Sequence, residues 1–300
     1  MKLTVFTPVY NRADIIDGLY ESLTRQTNKD FIWLVIDDGS TDNIRKIIGD
    51  YQKDSPFEIR YVYQKNQGKH AAHNAAVSAC ETELFFCVDS DDTLTEDAVE
   101  KIYETDRLHK DENILGYYFR KADENGEISG GEINLKTNKI GLRDIYYKCG
   151  FIGELAIVFK AEKIKNYSFP VFENEKFVSE KVFYNQLNCI APMVFSNDII
   201  YIFEYQEDGY TRSAEKLAVK NPNGCAYGYL SDAFYGCNII SRSKAYAAFL
   251  GMKKIFCLKS KILFDESRKL PWNIKILGTV LKFHYIKLFA VIKNKYISEE

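Results

Sequence analysis

The sequence predicts a doubly wound α/β fold with a mostly parallel central sheet, followed by a C-terminal helical extension. One observation predicts the sheet. Apolar runs of strand length alternate with helical periodicity over the first hundred residues, and a strand covered by helices on both faces is expected to be apolar throughout. A second observation, a basic and helix-like last fifth of the chain, predicts the extension. The 300 residues leave room for about two domains.

The predicted elements alternate in chain order. Leu3–Thr7 is a short β-rich run, and Asn11 can cap the helix that follows, where apolar residues recur every fourth position. Phe31–Ile36 is a continuous apolar run, which predicts a buried strand. The next helix, strand, helix and strand are predicted at Ile44–Ile48, Ile59–Tyr63, Ala71–Ala79 and Leu84–Val88. This βαβαβαβ pattern places ligands at the carboxyl ends of the strands.

Two changes along the chain predict its organisation. The alternation stops after about residue 110, and the breaker cluster Asn221-Pro222-Asn223-Gly224 follows. We therefore predict one domain over residues 1–220, with halves at 1–110 and 111–220, and a helical extension over 221–300. A helix is predicted in the second half from Ser179 to Cys189. The extension is basic, because residues 251–300 contain 11 Lys and Arg against 4 Asp and Glu.

Composition excludes several classes of protein. The net charge of -2 is unlike that of a nucleic-acid binder. Seven cysteines without a C-x-x-C pair favour reduced thiols in the cytoplasm over disulfides or a zinc site. Polar residues from Asn11 onward interrupt any signal-peptide core, and three lysines interrupt residues 273–292, the most apolar stretch. Neither a G-x-G-x-x-G fingerprint nor a Walker motif is present.

Carboxylates follow the strand at residues 84–88, in the motif Asp89-Ser90-Asp91-Asp92. Carboxylate oxygens suit Mg²⁺ or Mn²⁺, and an ion held by one or two of them keeps positions open for substrate phosphates. The alternative is a solvated acidic turn. An EF-hand loop is disfavoured because Leu94 occupies the position that needs glycine.

A second polar cluster follows the strand at residues 31–36. The acidic side chains of Asp37 and Asp38 could accept a hydrogen bond from a base N–H or a ribose hydroxyl, whereas Ser40 and Asp42 could simply cap the next helix. Tyr10 could stack on a nucleobase or be a surface aromatic. Three strand ends therefore point to one nucleotide-type site.

Other candidates carry a functional and a structural alternative. His70 and His73 lie three residues apart, a spacing that can ligate metal, but no third ligand accompanies them. Lys69 could contact a bound ligand or be solvated, and Glu154 could help to bind a substrate. Arg212 could clamp a phosphate through two hydrogen bonds or be a surface arginine.

Four blocks in order resemble the family 2 glycosyltransferases of GT-A fold. The blocks cover Thr7–Arg12, Val35–Asp42, Asn66–Asn74 and Val88–Asp92. The resemblance is strong over residues 1–110 and looser over 150–213. It implies that Tyr10 and Asp38 hold the base of a nucleotide sugar, that Asp89 holds its ribose, and that Asp91, with Asp89, binds the divalent metal in the manner of a DxD motif. The nucleotide-sugar site it implies comprises Thr7, Pro8, Tyr10, Asp38, Lys69, Asn74, Asp89, Ser90 and Arg212.

The resemblance also implies a general base on a later helix. In that family a carboxylate, usually within a Glu-Asp pair, deprotonates the acceptor hydroxyl. Here Glu180 occupies that place, and Lys181 stands where aspartate is often found. Glu180 is therefore the predicted catalytic residue, since a carboxylate within hydrogen-bond reach suffices for this role. The alternative is an exposed glutamate in a first helical turn.

These expectations combine into a metal-dependent, inverting hexosyltransferase that uses Mn²⁺ or Mg²⁺. The donor is expected to be a UDP-sugar and the acceptor a glycan hydroxyl, in the cytoplasm during assembly of a bacterial envelope, capsular or O-antigen polysaccharide. The alternatives are a nucleotide-sugar-binding protein with little catalytic activity and a nucleotidyltransferase.

The extension predicts a peripheral membrane contact. On a helical projection Lys275, Lys282 and Lys293 fall within ~20° of one another, and apolar residues occupy the rest of the circumference. Such a helix suits the headgroup region of an anionic membrane that carries a lipid-linked acceptor. The alternative is packing against the rest of the chain or within a homo-oligomer.

Overall fold

The computed structural model describes residues 1–133, 135, 137–204 and 214–297. These residues form two compact units, one from the described parts of 1–167 and 187–205, and the other from those of 168–186 and 206–300. The predicted boundary near residue 220 stays a prediction.

The first unit is built on one mixed sheet. Its strands in chain order are β1 (Leu3–Val9), β2 (Phe31–Asp37), β3 (Glu58–Tyr63), β4 (Leu84–Cys87), β5 (Thr93–Leu94), β6 (Gly116–Asp123), β7 (Lys139–Ile140), β8 (Leu155–Lys160) and β9 (Met193–Phe203). The spatial order is β3-β2-β1-β4-β8-β6-β9-β5, and β7 pairs with β9. β8 is antiparallel to both of its neighbours, so β6 and β9 run in the same direction as β1 to β4. The predicted α/β class with a mostly parallel sheet is confirmed.

Helices of the first unit cover this sheet. They are α1 (Ile16–Thr24), α2 (Ile44–Asp54), α3 (Lys69–Ala79), α4 (Ala98–Leu108), α5 (Asp144–Tyr147) and α6 (Ala161–Ile164). β2 is buried along its whole length, as its uninterrupted apolar sequence predicts. Trp33 is fully buried at its centre, and its indole Nε1 donates to Thr7 Oγ1 of β1 at 3.0 Å. The strand order reverses at β1, which lies between β2 and β4. In open α/β sheets, ligands bind at such a switch point, outside the carboxyl ends of the strands.

The second unit is helical. It contains α7 (Lys181–Leu187), except for its last residue, and α8 (Ala214–Lys220), α9 (Pro222–Tyr235), α10 (Ile239–Ile255), α11 (Lys261–Lys269) and α12 (Trp272–Ile297). α7 is shorter than the helix predicted over 179–189. The prediction of a helical C-terminal extension is confirmed. No helix among the described residues combines the length and the hydropathy needed to cross a bilayer.

Candidate functional site

The loops after β1 and β2 are joined by hydrogen bonds. Asn11 adopts a left-handed conformation, with φ of 53°, and its backbone N–H donates to Ser40 Oγ at 2.9 Å. The backbone N–H of Thr41 donates back to Asn11 Oδ1 at 2.8 Å. This double connection fixes the loop that presents Tyr10, whose side chain is 47% exposed. Pro8 is half-buried beside it.

The Asp38 carboxylate is buried and hydrogen-bonded within the chain, not exposed to solvent. It is 4% exposed, and its Oδ1 accepts hydrogen bonds from Gln64 Nε2 at 2.8 Å and from the backbone N–H of Gln67 at 2.9 Å. Its Oδ2 accepts from the backbone N–H of Gly68 at 2.7 Å. Asp38 therefore organises the turn that leads into α3. An ionised carboxylate has about four acceptor positions, so one remains for a ligand.

Two glycines make this turn possible. Gly39 and Gly68 have φ of 83° and 96°, in the left-handed region that favours glycine. A Cβ on Gly39 would lie 2.7 Å from the backbone nitrogen of Asn66. Because Gly39 has no side chain, the backbone of the loop before α3 can pack directly against the loop at the end of β2.

α3 brings Lys69 to the end of β4. Lys69 Nζ lies 2.8 Å from Asp89 Oδ1. Burial alone would raise the pKa of Asp89, but the charge and hydrogen bond of Lys69, with smaller contributions from Lys121 and Arg12, hold that pKa below its usual value. Asp89 is therefore an ionised carboxylate at the strand end. This pairing brings together two predicted site residues from separate sequence blocks.

The two histidines of α3 lie on the core side of the helix. His70 is buried, and that burial lowers its pKa to about 4. His73 packs edge-on against the rings of Phe6 and Phe85, with centroid distances of 5.9 and 5.4 Å. These surroundings favour the structural alternative over metal ligation. Asn74, a predicted donor contact, is half-buried one residue further along the helix.

Asp92 anchors the end of β9, a role that its place in the motif did not reveal. Tyr201 of β9 donates its hydroxyl to Asp92 Oδ2 at 2.5 Å and accepts the backbone N–H of Asp89 at 3.1 Å. The backbone N–H of Glu204 donates to Asp92 Oδ1 at 3.1 Å. Burial raises the pKa of Asp92 to about 6, although the Tyr201 hydrogen bond acts in the opposite direction. The first and last aspartates of the motif are thus held in place.

Asp91 remains as the available carboxylate of the motif. It is half-buried, and it makes no hydrogen bond or ion pair within the part of the chain that the structure describes. Ser90 beside it is buried. In that same part of the chain, no group of three or more His, Cys, Asp and Glu side chains could hold a metal ion. The residues therefore fit a divalent cation held jointly with a substrate diphosphate, and they do not fit a cation held by the protein alone.

On the second half of the sheet, Glu154 is paired with Lys121. Their Oε2 and Nζ atoms lie 3.2 Å apart, and the same ammonium group lies 3.9 Å from the centre of the Tyr201 ring. Glu154 is mostly exposed, whereas Lys121 is mostly buried. Lys121 thus links the predicted acceptor-side residue to the Tyr201 ring, a connection that no sequence motif indicates.

Glu180 lies in the second unit, at the N-terminal end of α7. Its side chain is exposed, and its backbone carbonyl accepts the N–H groups of Phe183 and Tyr184 at 3.0 and 3.2 Å. The Tyr184 hydroxyl lies 3.5 Å from Glu180 Oε2. The Glu180 side chain is therefore accessible to solvent.

The segment that carries Glu180, residues 175–185, is bonded to α9 at two places along that helix. We call this arrangement the α9 clamp. Its members are Glu175, Lys181 and Asn185 on the segment and Asn223, Gly224, Ser231 and Asp232 on α9. At the first place, the buried Glu175 carboxylate accepts the backbone N–H groups of Asn223 at 2.9 Å and Gly224 at 2.8 Å. A carboxylate at a helix N-terminus satisfies otherwise unpaired N–H groups and the helix dipole.

The second place in the clamp explains Lys181. Lys181 Nζ lies 2.6 Å from Asp232 Oδ2, and Asn185 Nδ2 donates to Ser231 Oγ at 2.9 Å and to Asp232 Oδ1 at 3.1 Å. Gly228 provides the room, because a Cβ there would lie 3.2 Å from Lys181 Cε. Lys181, which stands where aspartate is often found, therefore joins the segment to α9 through an ion pair next to Glu180.

Other predicted site residues stand as follows. Thr7 is fully buried, and its hydroxyl accepts the Trp33 hydrogen bond, so its contact with a donor stays a prediction. Arg212 lies outside the described residues, as does the loop around it from Tyr205.

Three comparisons relate the chain to known proteins. The family model described as "Glycosyl transferase family 2" matches residues 4–168. Teichoic acid poly(glycerol phosphate) polymerase of Staphylococcus epidermidis is 36% identical over 112 residues, which are 36% of this chain and 16% of that protein. Glycosyltransferase GlyG of Streptococcus pneumoniae is 21% identical over 296 residues, which cover 89% of this chain and 97% of that protein. The chain spans 16% to 32% of the length of the first three curated relatives it matches.

Among solved structures, the chain is similar to S. aureus TarS 1–349 in complex with UDP-GlcNAc. The TM-score is 0.63 and the identity 17%, with 100% of this chain and 93% of that chain covered. At this identity the likeness shows a shared fold. The predicted GT-A type architecture is thereby confirmed.

Proposed function

Because the chain belongs to glycosyl transferase family 2, as its four sequence blocks predicted, we propose that it transfers a hexosyl group from a UDP-sugar to a hydroxyl group of a glycan, with inversion at the anomeric carbon. The observation that carries the proposal is the arrangement at the end of β4. There Asp89 is paired with Lys69, and the Asp91 carboxylate makes no hydrogen bond or ion pair within the described chain. This is the chemistry that a diphosphate and its cation require.

The first unit supplies the donor contacts in this proposal. The exposed Tyr10 ring stacks on the base, and the remaining acceptor position of Asp38 takes a base N–H. Asp89 accepts a ribose hydroxyl, and Lys69 beside it offsets negative charge. Asp38 and Asp89 are already fixed by hydrogen bonds or an ion pair, so little side-chain freedom is lost when the nucleotide binds.

Asp91, with Asp89 beside it, would hold Mg²⁺ or Mn²⁺. When bound, the cation would offset the charge that develops on the departing diphosphate. Members of this family often use divalent metals.

Glu180 acts as the general base. The acceptor oxygen forms a bond to the anomeric carbon while the bond from that carbon to the diphosphate oxygen breaks, and the proton of the acceptor hydroxyl passes to the Glu180 carboxylate. Attack from the face opposite the leaving group inverts the configuration. The α9 clamp restrains the segment that carries Glu180, which supports the role of a positioned base.

The curated relatives support a setting in cell-envelope polysaccharide synthesis. One of them is named as a teichoic acid polymerase, and we extend that class of acceptor, a bacterial surface glycan or teichoic acid, to this chain. We place this assembly on the cytoplasmic side, because seven cysteines without a C-x-x-C pair favour reduced thiols.

Release of UDP tests the proposal against its two alternatives. The purified chain is incubated with a panel of nucleotide sugars and Mn²⁺, and donors are first selected by thermal shift, because a ligand that binds the native state raises the apparent melting temperature. We expect one UDP-sugar to stabilise the protein and to release UDP when an acceptor glycan is added. Donor binding without turnover would indicate a binding protein, and pyrophosphate release would indicate a nucleotidyltransferase.

A further inference from the structure

The outer face of α12 is an exposed apolar surface that runs along the helix. Val280 and Val291 are each 68% exposed and Phe283 is 64% exposed. Together with four other large apolar side chains they form a surface that we call the α12 face. Its members are Trp272, Ile276, Leu277, Val280, Phe283, Leu288 and Val291. Contiguous exposed apolar patches of this kind mark interaction sites with proteins or membranes.

The opposite face of α12 is already used in packing within the second unit. A Cβ on Gly278 would lie 2.8 Å from Tyr246 Cδ1 of α10, so the two helices cross at close range. Phe289 is buried and packs edge-on against Tyr229, with ring centroids 5.8 Å apart. The apolar residues of α12 thus divide into a packed set and an exposed set. The exposed set takes no part in the core of the second unit.

The charge on α12 itself has one sign, while the neighbouring α11 also carries Asp265 and Glu266. α12 contains five lysines and no aspartate or glutamate. The neighbouring exposed ring of Phe264 on α11 has Lys253 Nζ at 5.8 Å and the Arg268 guanidinium carbon at 5.6 Å from its centre. Lysine and arginine stems lie along apolar surface while their charged heads reach the aqueous side. Apolar side chains bordered by cations match the acyl and headgroup layers of an anionic bilayer.

We propose that the α12 face lies in the headgroup region of an anionic lipid bilayer, with α12 parallel to the membrane plane. A helix of 26 residues is about 39 Å long, and its lysines keep it at the interface. A second copy of the chain is a poorer occupant, because two α12 faces would bring lysines together with no acidic residue of α12 to neutralise them. This inference does not depend on the proposed transferase activity.

The predicted lysine stripe of α12 is engaged within the second unit. The sequence predicts a narrow stripe of Lys275, Lys282 and Lys293 beside a broad apolar face, and all three lysines are half-buried. Lys293 Nζ donates to the backbone carbonyl of Ile255 at the end of α10, at 3.0 Å, and Lys275 Nζ donates to that of Arg268 at 2.8 Å. The predicted lysine stripe therefore borders the contact surface, and the apolar residues form it.

Flotation of the full chain with vesicles tests the proposal. Vesicles of phosphatidylcholine mixed with phosphatidylglycerol should carry the protein at low salt, and vesicles of phosphatidylcholine alone should carry much less. The triple variant W272S/V280S/F283S should lose vesicle binding. As a matched control, L108S/I152S replaces exposed apolar residues of the first unit and should bind as the wild type does. Circular dichroism checks that both variants remain helical.

A charge variant separates membrane attraction from protein association. Replacing the exposed Lys254, Lys259 and Lys287 with glutamine should weaken partitioning by about fivefold for each lysine, the effect of one lysine beside an anionic surface. Equal flotation of the wild type and the apolar triple variant would overturn the proposal. So would a protein that does not float but forms a dimer that W272S/V280S/F283S converts to monomer, because the occupant would then be a second copy.

Discussion

The strand-end site of the first unit and the α9 clamp of the second unit place carboxylates in opposite ways. At the strand ends, Asp38 is bound by the backbone N–H groups of Gln67 and Gly68 just before α3, and Asp89 is paired with Lys69 at the start of that helix. In the clamp, Glu175 and Lys181 bind α9 residues about fifty positions later. A motif can therefore mark the first region, whereas only the fold reveals the second.

The two regions also serve different tasks in the proposed reaction. The strand ends hold groups suited to binding a nucleotide, and the clamp holds the segment that carries the proposed base. If the tasks are separate, substitutions in one region should change one measured quantity and leave the other unaltered.

The largest effect is expected from Glu180→Gln. Glutamine has nearly the same shape but cannot accept the acceptor proton, so transfer should slow by roughly 10²–10⁴-fold, while the dissociation constant for UDP stays the same. Single-turnover transfer rates and calorimetric titration measure the two quantities.

Glu173→Gln provides the matched control for Glu180→Gln. Glu173 is exposed in the same segment, and this variant should transfer at the wild-type rate. Glu175 is unsuited to replace Glu180 as base because its oxygens accept the N–H groups at the start of α9. Wild-type turnover by Glu180→Gln would remove Glu180 from the mechanism.

A smaller effect, on stability, is expected from His70→Gln in the first unit. Burial holds the pKa of His70 at about 4, below its ordinary value of 6.5. As the pH falls from 7 to 4 the unfolded chain takes up this proton and the folded chain largely does not, so the native state loses stability. The His70 contribution to this loss is about 3 kcal/mol. In urea unfolding, His70→Gln should show a shallower loss of stability between those pH values.

His284→Gln is the control for the pH experiment, because His284 is exposed on α12. It should keep the wild-type pH dependence of the free energy of unfolding. If His70→Gln and His284→Gln behave alike, the buried histidine is not the source of the acid sensitivity.

The smallest effect is expected from Lys181→Met, which keeps the aliphatic stem but loses the ion pair with Asp232. Both partners are partly exposed, so the loss of stability should be about 1 kcal/mol. Because the segment that carries Glu180 is loosened, the transfer rate should fall about tenfold with unchanged UDP affinity. Lys295→Met, which breaks the more exposed pair with Glu215, should leave the transfer rate as it is. A purely structural role for Lys181 would give the same stability loss without the change in rate.

Sequence alone predicts much of the first unit and little of the second. The apolar run of β2 and the polar residues after β1, β2 and β4 follow from periodicity and from the position of ligand sites in parallel sheets. The role of Asp92 does not, because its partner Tyr201 comes from a distant strand. Likewise, the outward side of α12 depends on how it packs against α10, and helical projection of an apolar sequence does not determine that.

The donor site is the central claim, and calorimetric titration of UDP with and without Mn²⁺ tests it most directly. For the wild-type chain we predict that Mn²⁺ tightens UDP binding. For Asp91→Ala we predict an unchanged fold and an affinity that Mn²⁺ no longer raises, while Asp54→Ala, which removes an exposed carboxylate at the end of α2, should behave as the wild type. Tight, Mn²⁺-dependent binding of UDP by Asp91→Ala would contradict the assignment of the strand-end site.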